Sequence, residues 1–89
     1  MADLMAQVID DEVMCCTDCL MIVANDDASG MDDATEARCR AGIAAMEASV
    51  PGGYLACGDS DKDEEFSHSR CDVCNALPGE RHHLVLLGD

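Results

Sequence analysis

The sequence predicts a small α+β domain of short antiparallel strands, with one helix inserted between two pairs of cysteines. The pairs are Cys16-Thr-Asp-Cys19 near the start of the chain and Cys71-Asp-Val-Cys74 near its end, and the helix is predicted over residues 33–49. The chain has 89 residues, which is the size of a single domain. A domain this short is marginal on its hydrophobic core alone. A tie between distant cysteines is therefore expected to stabilise it.

The two cysteine pairs have the spacing of a structural zinc site. A Cys-x-x-Cys turn aims both sulfurs at one point, and two such turns supply four thiolates for tetrahedral zinc. This predicts a zinc-ribbon-like domain in which Zn²⁺ is bound by Cys16, Cys19, Cys71 and Cys74. A site closed by four protein ligands has no position for water, so the predicted metal is structural. The alternatives are reduced core cysteines without metal, or iron in a rubredoxin-like site, which the scarcity of aromatic residues disfavours.

Four other residues are candidates for an alternative ligand or for hydrogen bonds to the thiolates. Cys15 competes with its neighbour for the first ligand position, although the spacing to the next cysteine would then be one residue longer. His68 has ligand-like spacing to the second pair. Arg81 and His82 could offset the charge of the thiolates by donating hydrogen bonds, and His82 lies at the start of a predicted strand.

Residues 33–49 have the clearest helical pattern. Asp33 can cap this helix, with Glu36 three residues later as in a capping box. Glu36 and Arg40 can pair across one turn. Pro51-Gly52-Gly53 is expected to stop the helix. One face is predicted to be buried by residues at spacings of three and four, namely Thr35, Cys39, Ile43, Met46 and Val50.

The other segments are predicted as short strands, a lead and turns. Strands are predicted at residues 20–24, 54–57 and 83–87, because each is a short apolar run. Residues 1–12 are predicted as a mobile or weakly helical lead. Asn75, directly after the second cysteine pair, suits the left-handed backbone that such turns often require there.

The chain is strongly acidic, with 19 acidic residues against five basic ones and a formal net charge of −14. Phosphate backbones and anionic membranes are bound through clusters of Lys and Arg, so neither nucleic acid nor a membrane is expected as a partner. No signal peptide is expected from the first residues, and no apolar stretch reaches transmembrane length. Since metal-binding cysteines are typical of reducing compartments, a cytoplasmic location is predicted.

The acidity favours a protein partner with a basic surface. The densest acidic run is the loop at residues 59–65, whose predicted partner-binding residues are Asp59, Asp61, Asp63, Glu64 and Glu65. The alternating aspartates resemble the opening of a calcium loop. However, Glu64 stands where that loop needs glycine, and Arg70 stands where it needs a bidentate acid. The run is therefore interpreted as solvated charge.

Three short motifs accompany the cysteine pairs, namely Leu20–Asn25, Glu65–Ser67 and Gly79–His82. Together with the pairs, they resemble a loose group of small uncharacterised proteins that are common in bacteriophage genomes and in bacteria with integrated phages. The resemblance covers residues 13–87. In that group a glycine usually follows the second pair, where this chain has Asn75, and an aromatic residue often precedes it, where this chain has His68. The resemblance implies a phage origin and a zinc-ribbon-like domain. It implies nothing about an activity.

The leading hypothesis is a non-enzymatic interaction module, a phage-type accessory protein that binds a host or phage protein in the host cytoplasm. The alternative is an acidic mimic of nucleic acid that inhibits a DNA- or RNA-binding host protein, as an anti-defence protein would. The sequence contains no nucleophile elbow, phosphate-binding loop or His-Glu helix motif. An enzyme is therefore not expected.

Overall fold

A computed structural model describes residues 7–88 of the chain. Its elements, in chain order, are β1 (Gln7–Cys15), α1 (Thr17–Asn25), α2 (Asp33–Ala48), β2 (Tyr54–Cys57), a 3₁₀ turn (Ser60–Lys62), β3 (Glu64–Ser67) and β4 (Gly79–Gly88). The predicted α+β class with an antiparallel sheet is confirmed. The described part contains two helices, where the sequence analysis predicted one.

Strand β4 is the centre of the antiparallel sheet and pairs with all three other strands. β1 pairs with nearly its whole length, from Gln7 opposite Gly88 to Cys15 opposite His82, with two register shifts. β2 pairs with the second half of β4, and β3 pairs with its beginning. Because β1 ends one residue before Cys16, the sheet fixes the point at which the first cysteine pair begins.

The two helices cover one face of the sheet, and the core between them is rich in sulfur. Leu55, Leu84 and Leu86 of the sheet lie in the same buried cluster as Ile22 of α1 and Cys39 of α2. Six cysteines are among the twelve buried hydrophobic side chains. A cysteine buries much less apolar area than a leucine, so this core contributes little hydrophobic free energy for its number of residues.

Helix α2 forms where the sequence predicts it, with its cap one residue earlier. The side chain of Asp32, and not of Asp33, accepts a hydrogen bond of 2.7 Å from the backbone N–H of Thr35. Arg40 forms the predicted pair with Glu36 at 2.7 Å. The predicted apolar face packs on the core through Cys39, Ile43, Met46 and Val50. The helix ends before the predicted Pro-Gly-Gly stop, where Gly52 has a φ of 65°.

Residues 20–24, which were predicted as a strand, belong to helix α1. A short apolar run has no periodicity that separates a strand from a buried helix turn. In the fold, the helix places Cys19 and Ile22, three residues apart, on the face that the core buries. The helix ends at Asp26, which adopts a left-handed conformation with a φ of 49°.

Two other predictions need correction. Residues 7–12 were predicted as part of a mobile or weakly helical lead. They form the first part of β1, because they pair with the antiparallel strand β4. Residues 1–6 lie outside the described part of the chain. The loop predicted at residues 59–65 contains the 3₁₀ turn and the first two residues of β3. Between residues 7 and 88, neither helix is long and apolar enough to cross a membrane.

Candidate metal centre

The four predicted cysteines come together in the core, although the pairs are far apart in the chain. We call Cys16, Cys19, Cys71 and Cys74 the four-cysteine centre. All four are buried, and their sulfurs lie within 4.8 Å of one another. The Sγ atoms of Cys16 and Cys74 are 3.6 Å apart, and those of Cys19 and Cys71 are 3.9 Å apart. None of the chain's cysteines forms a disulfide.

The first pair is built on the N-terminus of α1. Cys16 is the N-cap residue of this helix and Cys19 lies in its first turn, so one helical turn carries both sulfurs. Leu20 continues the helix, and its N–H donates to the carbonyl of Cys16 at 3.0 Å. This explains why Leu20 can stand where the second pair has a left-handed residue.

The second pair is built on a tight turn whose backbone points at one sulfur. The N–H groups of Val73 and Cys74 donate to the Sγ of Cys71 at 3.3 and 3.4 Å. The N–H of Cys16 donates to the same sulfur at 3.3 Å, which joins the two pairs. Asn75 has the predicted left-handed conformation, with a φ of 64°, and its N–H donates to the carbonyl of Cys71. Such N–H donors favour the thiolate form of the sulfur that accepts them.

The geometry of the centre fits one tetrahedral metal ion. With Zn–S bonds of about 2.3 Å, tetrahedral coordination places the sulfurs about 3.8 Å apart. The Cys16–Cys74 and Cys19–Cys71 distances lie within about 0.2 Å of that value, and all four sulfurs lie within 4.8 Å of one another. A tetrahedral set of four thiolates suits zinc or iron. Because the four ligands are buried, such an ion would have no position open to water.

The sulfurs do not ionise alike when no metal is present. Side-chain hydrogen bonding with Cys16 and Cys19 lowers the pKa of Cys71. The reciprocal hydrogen bonds to Cys16 and Cys71, together with burial, raise the pKa of Cys19. Cys16 receives a hydrogen bond from Cys19, which lowers its pKa, but its bond to Cys71 and its burial raise the pKa to about 12. The thiolate of Cys71 is therefore favoured, and a metal ion must displace the protons of Cys16 and Cys19.

Two side chains of α2 touch the centre, and sequence reasoning assigned neither of them there. Interaction with the sulfur of Cys74 raises the pKa of Arg38, so its guanidinium lies beside that sulfur. Cys39 is fully buried and its thiol lies within hydrogen-bonding reach of Cys19 and Cys74, while burial raises its own pKa. The buried helix face that included Cys39 was the only sequence signal that could have placed these residues beside the centre.

Arg81, a candidate for hydrogen bonds to the thiolates, donates its hydrogen bonds to the backbone around the second turn. Only 2% of this side chain is exposed. Its Nη2 donates to the carbonyls of Ser69, Ala76 and Leu77 at 3.0, 3.2 and 2.7 Å. These carbonyls flank the second cysteine pair on both sides. Arg81 therefore positions the turn, and its Nε is the one buried side-chain N or O atom in residues 7–88 that has no hydrogen-bond partner.

His82 connects the first cysteine pair to the acidic loop without reaching the sulfurs by hydrogen bonding. Its Nε2 is 2.9 Å from the hydroxyl of Thr17, and its Nδ1 is 3.1 Å from the carboxylate of Asp63. Asp63 also accepts a hydrogen bond of 2.8 Å from the backbone N–H of His83, and this bond is the main reason its pKa is lowered. The network holds the start of α1 against β4.

The remaining candidates lie away from the metal position or play another part. His68 is exposed, and its ring meets that of Phe66 edge-on at 5.1 Å. Cys15 is fully buried next to the centre, and burial is the main cause of its raised pKa. Asp72, between the second pair, was not singled out by the sequence. Its carboxylate and its backbone N–H each form a 2.9 Å hydrogen bond with the backbone of Met14.

The predicted partner-binding acids are exposed, but two of them have internal roles. Asp59 caps the 3₁₀ turn by accepting from the N–H of Asp61 at 2.9 Å. Asp63 is tied to His82 and His83, as described above. This leaves Asp61, Glu64 and Glu65 as the acids of the loop whose carboxylates make no hydrogen bond within the described part of the chain.

No family model, no curated protein and no solved structure matches this chain. The function must therefore be argued from the geometry and charge of the molecule itself.

Proposed function

We propose that the protein is a non-enzymatic interaction module whose fold is held together by a structural zinc ion. The observation that carries the proposal is the burial of all four sulfurs of the centre. A metal enclosed by four protein thiolates cannot bind substrate or activate water, so its contribution is to folding. The zinc-ribbon-like label is part of this proposal.

The core supports the need for the metal. Much of the buried cluster is cysteine, so hydrophobic burial is small for a chain of this length. Binding of structural zinc contributes about 10–16 kcal/mol at neutral pH. That equals or exceeds the total stability of about 5–15 kcal/mol that is usual for native domains. The metal would therefore decide whether the domain is folded.

The acidic surface supports a basic protein as the partner. The only buried polar or charged side chains in residues 7–88 are Arg81 and His83, so every described acid is at least partly exposed. The basic residues are largely engaged: Arg40 pairs with Glu36 and Asp26, Arg38 lies on the centre, and Arg81 is buried. The field outside the molecule is therefore negative, and it would attract a cationic surface.

Within this class we favour a phage-type accessory protein that binds a host or phage protein. The alternative is an acidic mimic of nucleic acid that occupies the basic groove of a host protein. The accessory protein and the mimic would both need an acidic surface. They differ in whether the partner protein also binds nucleic acid at the same site. The partner of a mimic would be released by duplex DNA or RNA, and the partner of an adaptor would not.

The test is capture of the partner by zinc-loaded protein from a lysate of the host, at low and at high salt. We expect retention that weakens steeply as ionic strength passes about 0.15 M, where the Debye length is about 8 Å. Substitution of Asp61→Asn, Glu64→Gln and Glu65→Gln should reduce retention. These positions spare Asp59 and Asp63, whose carboxylates make internal hydrogen bonds.

A control with the same change in charge elsewhere is Asp18→Asn, Asp33→Asn and Glu80→Gln. Retention that is insensitive to salt, or that falls equally in both variants, would show that the loop is not the electrostatic site. Release of the captured protein by added duplex DNA would identify the mimic.

A further inference from the structure

One face of the sheet carries a row of apolar side chains that are exposed or only partly buried. Val8, Leu87 and Tyr54 lie side by side across β1, β4 and β2, because Leu87 is the register partner of both others. Side chains of directly paired residues point to the same face. Val8 is 60% exposed and Tyr54 is 45% exposed, while Leu87 is partly buried.

This face is opposite the helices. Leu84 and Leu86 of β4 point into the core with Leu55 of β2. Since side chains alternate along a strand, Val85 and Leu87 point the other way. Ala56 pairs with Val85 and extends the apolar row. We call this surface the open face; it consists of Val8, Tyr54, Ala56, Val85 and Leu87.

At one end the open face is bounded by acids on both edge strands. β1 and β2 are both antiparallel to β4, so they run in the same direction. Beyond Val8, β1 continues through the exposed Asp11 and Glu12. Beyond Ala56, the chain continues through the exposed Asp59 and Asp61. The acids therefore lie at the same end of the apolar row on either side of β4.

On the basis of the proposed function, we propose that the open face is the docking surface for a protein whose apolar contact patch is flanked by Lys or Arg. Protein interfaces combine a desolvated apolar centre with a polar rim, and contiguous exposed apolar patches mark such sites. The acidic end supplies the rim, and its charge selects a basic partner. A second copy of the chain is disfavoured, because each copy carries a net charge of −14.

The chain contains a natural reporter for this surface. Tyr54 is the single tyrosine and the chain has no tryptophan, so its fluorescence reports on the open face alone. The probe is a short amphipathic helical peptide made of leucine and lysine, with a leucine–glutamate peptide of the same pattern as its counterpart. We expect a saturable change in tyrosine fluorescence with the lysine peptide only, and an affinity that falls at least about tenfold when salt is raised from low to physiological strength.

Variants separate docking on the open face from loose attraction to an acidic protein. Leu87→Ser and Val8→Ser should each weaken binding at least about tenfold, as loss of a central interface residue does. Leu77→Ser is the matched control, since Leu77 is 69% exposed and outside the open face. Binding is followed with a labelled peptide, and circular dichroism with zinc content confirms that each variant is folded. Val8 is the more exposed of the two positions, so its variant keeps the test valid if Leu87→Ser unfolds.

Equal losses in the Leu77 control, or equal binding of the glutamate peptide, would overturn the assignment. A dimer in sedimentation equilibrium that Val8→Ser dissociates would also overturn it, since a second copy would then cover the face. If partner capture depends on Asp61, Glu64 and Glu65 but not on Val8 or Leu87, this inference fails while the proposed function stands.

Discussion

Replacement of Arg81 by methionine should destabilise the protein far more than the same replacement of Arg70. Arg81 is 2% exposed and its Nη2 donates to three loop carbonyls around the second cysteine pair. Hydrogen bonds from a charged group contribute about 1.5–3 kcal/mol each. Nη2 carries two hydrogens, so the three carbonyls share two full hydrogen bonds, and the gross loss is about 3–6 kcal/mol. Part of this is offset, because the cost of burying the guanidinium disappears with it.

We expect a net loss of about 3 kcal/mol for Arg81→Met, which is a large fraction of the usual stability of a small domain. Arg70 is exposed and makes one hydrogen bond of 3.0 Å, to the carbonyl of Asn75, so Arg70→Met should cost about 0.5–1 kcal/mol. Both losses are measured by denaturant unfolding at saturating zinc. Zinc affinity, measured by competition with a chromogenic chelator, should fall in Arg81→Met as well, because the second turn loses its support. If the two variants have equal stabilities and zinc affinities, the assignment of Arg81 as the group that positions the turn is wrong.

Further predictions concern the metal and the packing around it. The purified protein should contain one zinc per chain by elemental analysis. Cys74→Ser should lose the zinc and unfold, whereas Cys57→Ser, at an exposed position, should keep the zinc and the fold. A wild-type protein that is folded, reduced and free of metal would contradict this. Chelation should abolish the helical circular dichroism signal, whereas a retained cooperative melt would show that the core is stable alone. Apparent zinc affinity should fall as pH falls from about 8 to 6, because protons compete for the sulfurs whose pKa is raised in the metal-free centre; a flat profile would indicate that thiolates are not the ligands. Gly42→Ala should destabilise the fold by about 1–3 kcal/mol, because a Cβ there would meet the carbonyl of Val73, and the overpacking outweighs a helix-propensity gain of about 1 kcal/mol. Gly30→Ala is the control, because a Cβ at Gly30 would have nothing within 4 Å. Equal denaturation midpoints of the two variants would refute the contact.

Local sequence signals were sufficient for several elements of the fold. The helix over residues 33–49 could be predicted because its capping, i,i+4 pairing and apolar face all agree, and the structure differs only by one residue at the cap and one at the end. The left-handed conformation of Asn75 could be predicted from the geometry of a Cys-x-x-Cys turn. The strand at residues 83–87 was found, but it begins earlier, at Gly79, because pairing with β3 and β1 extends it.

The elements that were missed depend on partners far away in the chain. The run Leu20–Ala24 is apolar without clear periodicity, so its helical form is decided by the sheet on which α1 packs. The acidic residues at 10–12 have poor strand propensity, and they are in β1 because β4 lies beside them. The hydrogen bonds of Arg81 to the carbonyls of residues 69, 76 and 77 could be identified only from the tertiary structure. Every residue has a backbone carbonyl, so the sequence does not indicate which ones accept a hydrogen bond.

The sequence by itself determined the acidity of the protein and the four cysteines that form its centre, because charge depends on composition and a paired spacing of ligands is a local property. Only the tertiary structure decided how the pairs meet, with one on a helix N-terminus and the other on a turn held by Arg81. It also decided that Arg38 and Cys39 touch the centre and that one face of the sheet is open. These features arise from contacts between segments separated by tens of residues, and the free energy of such contacts depends on the packing of the whole chain.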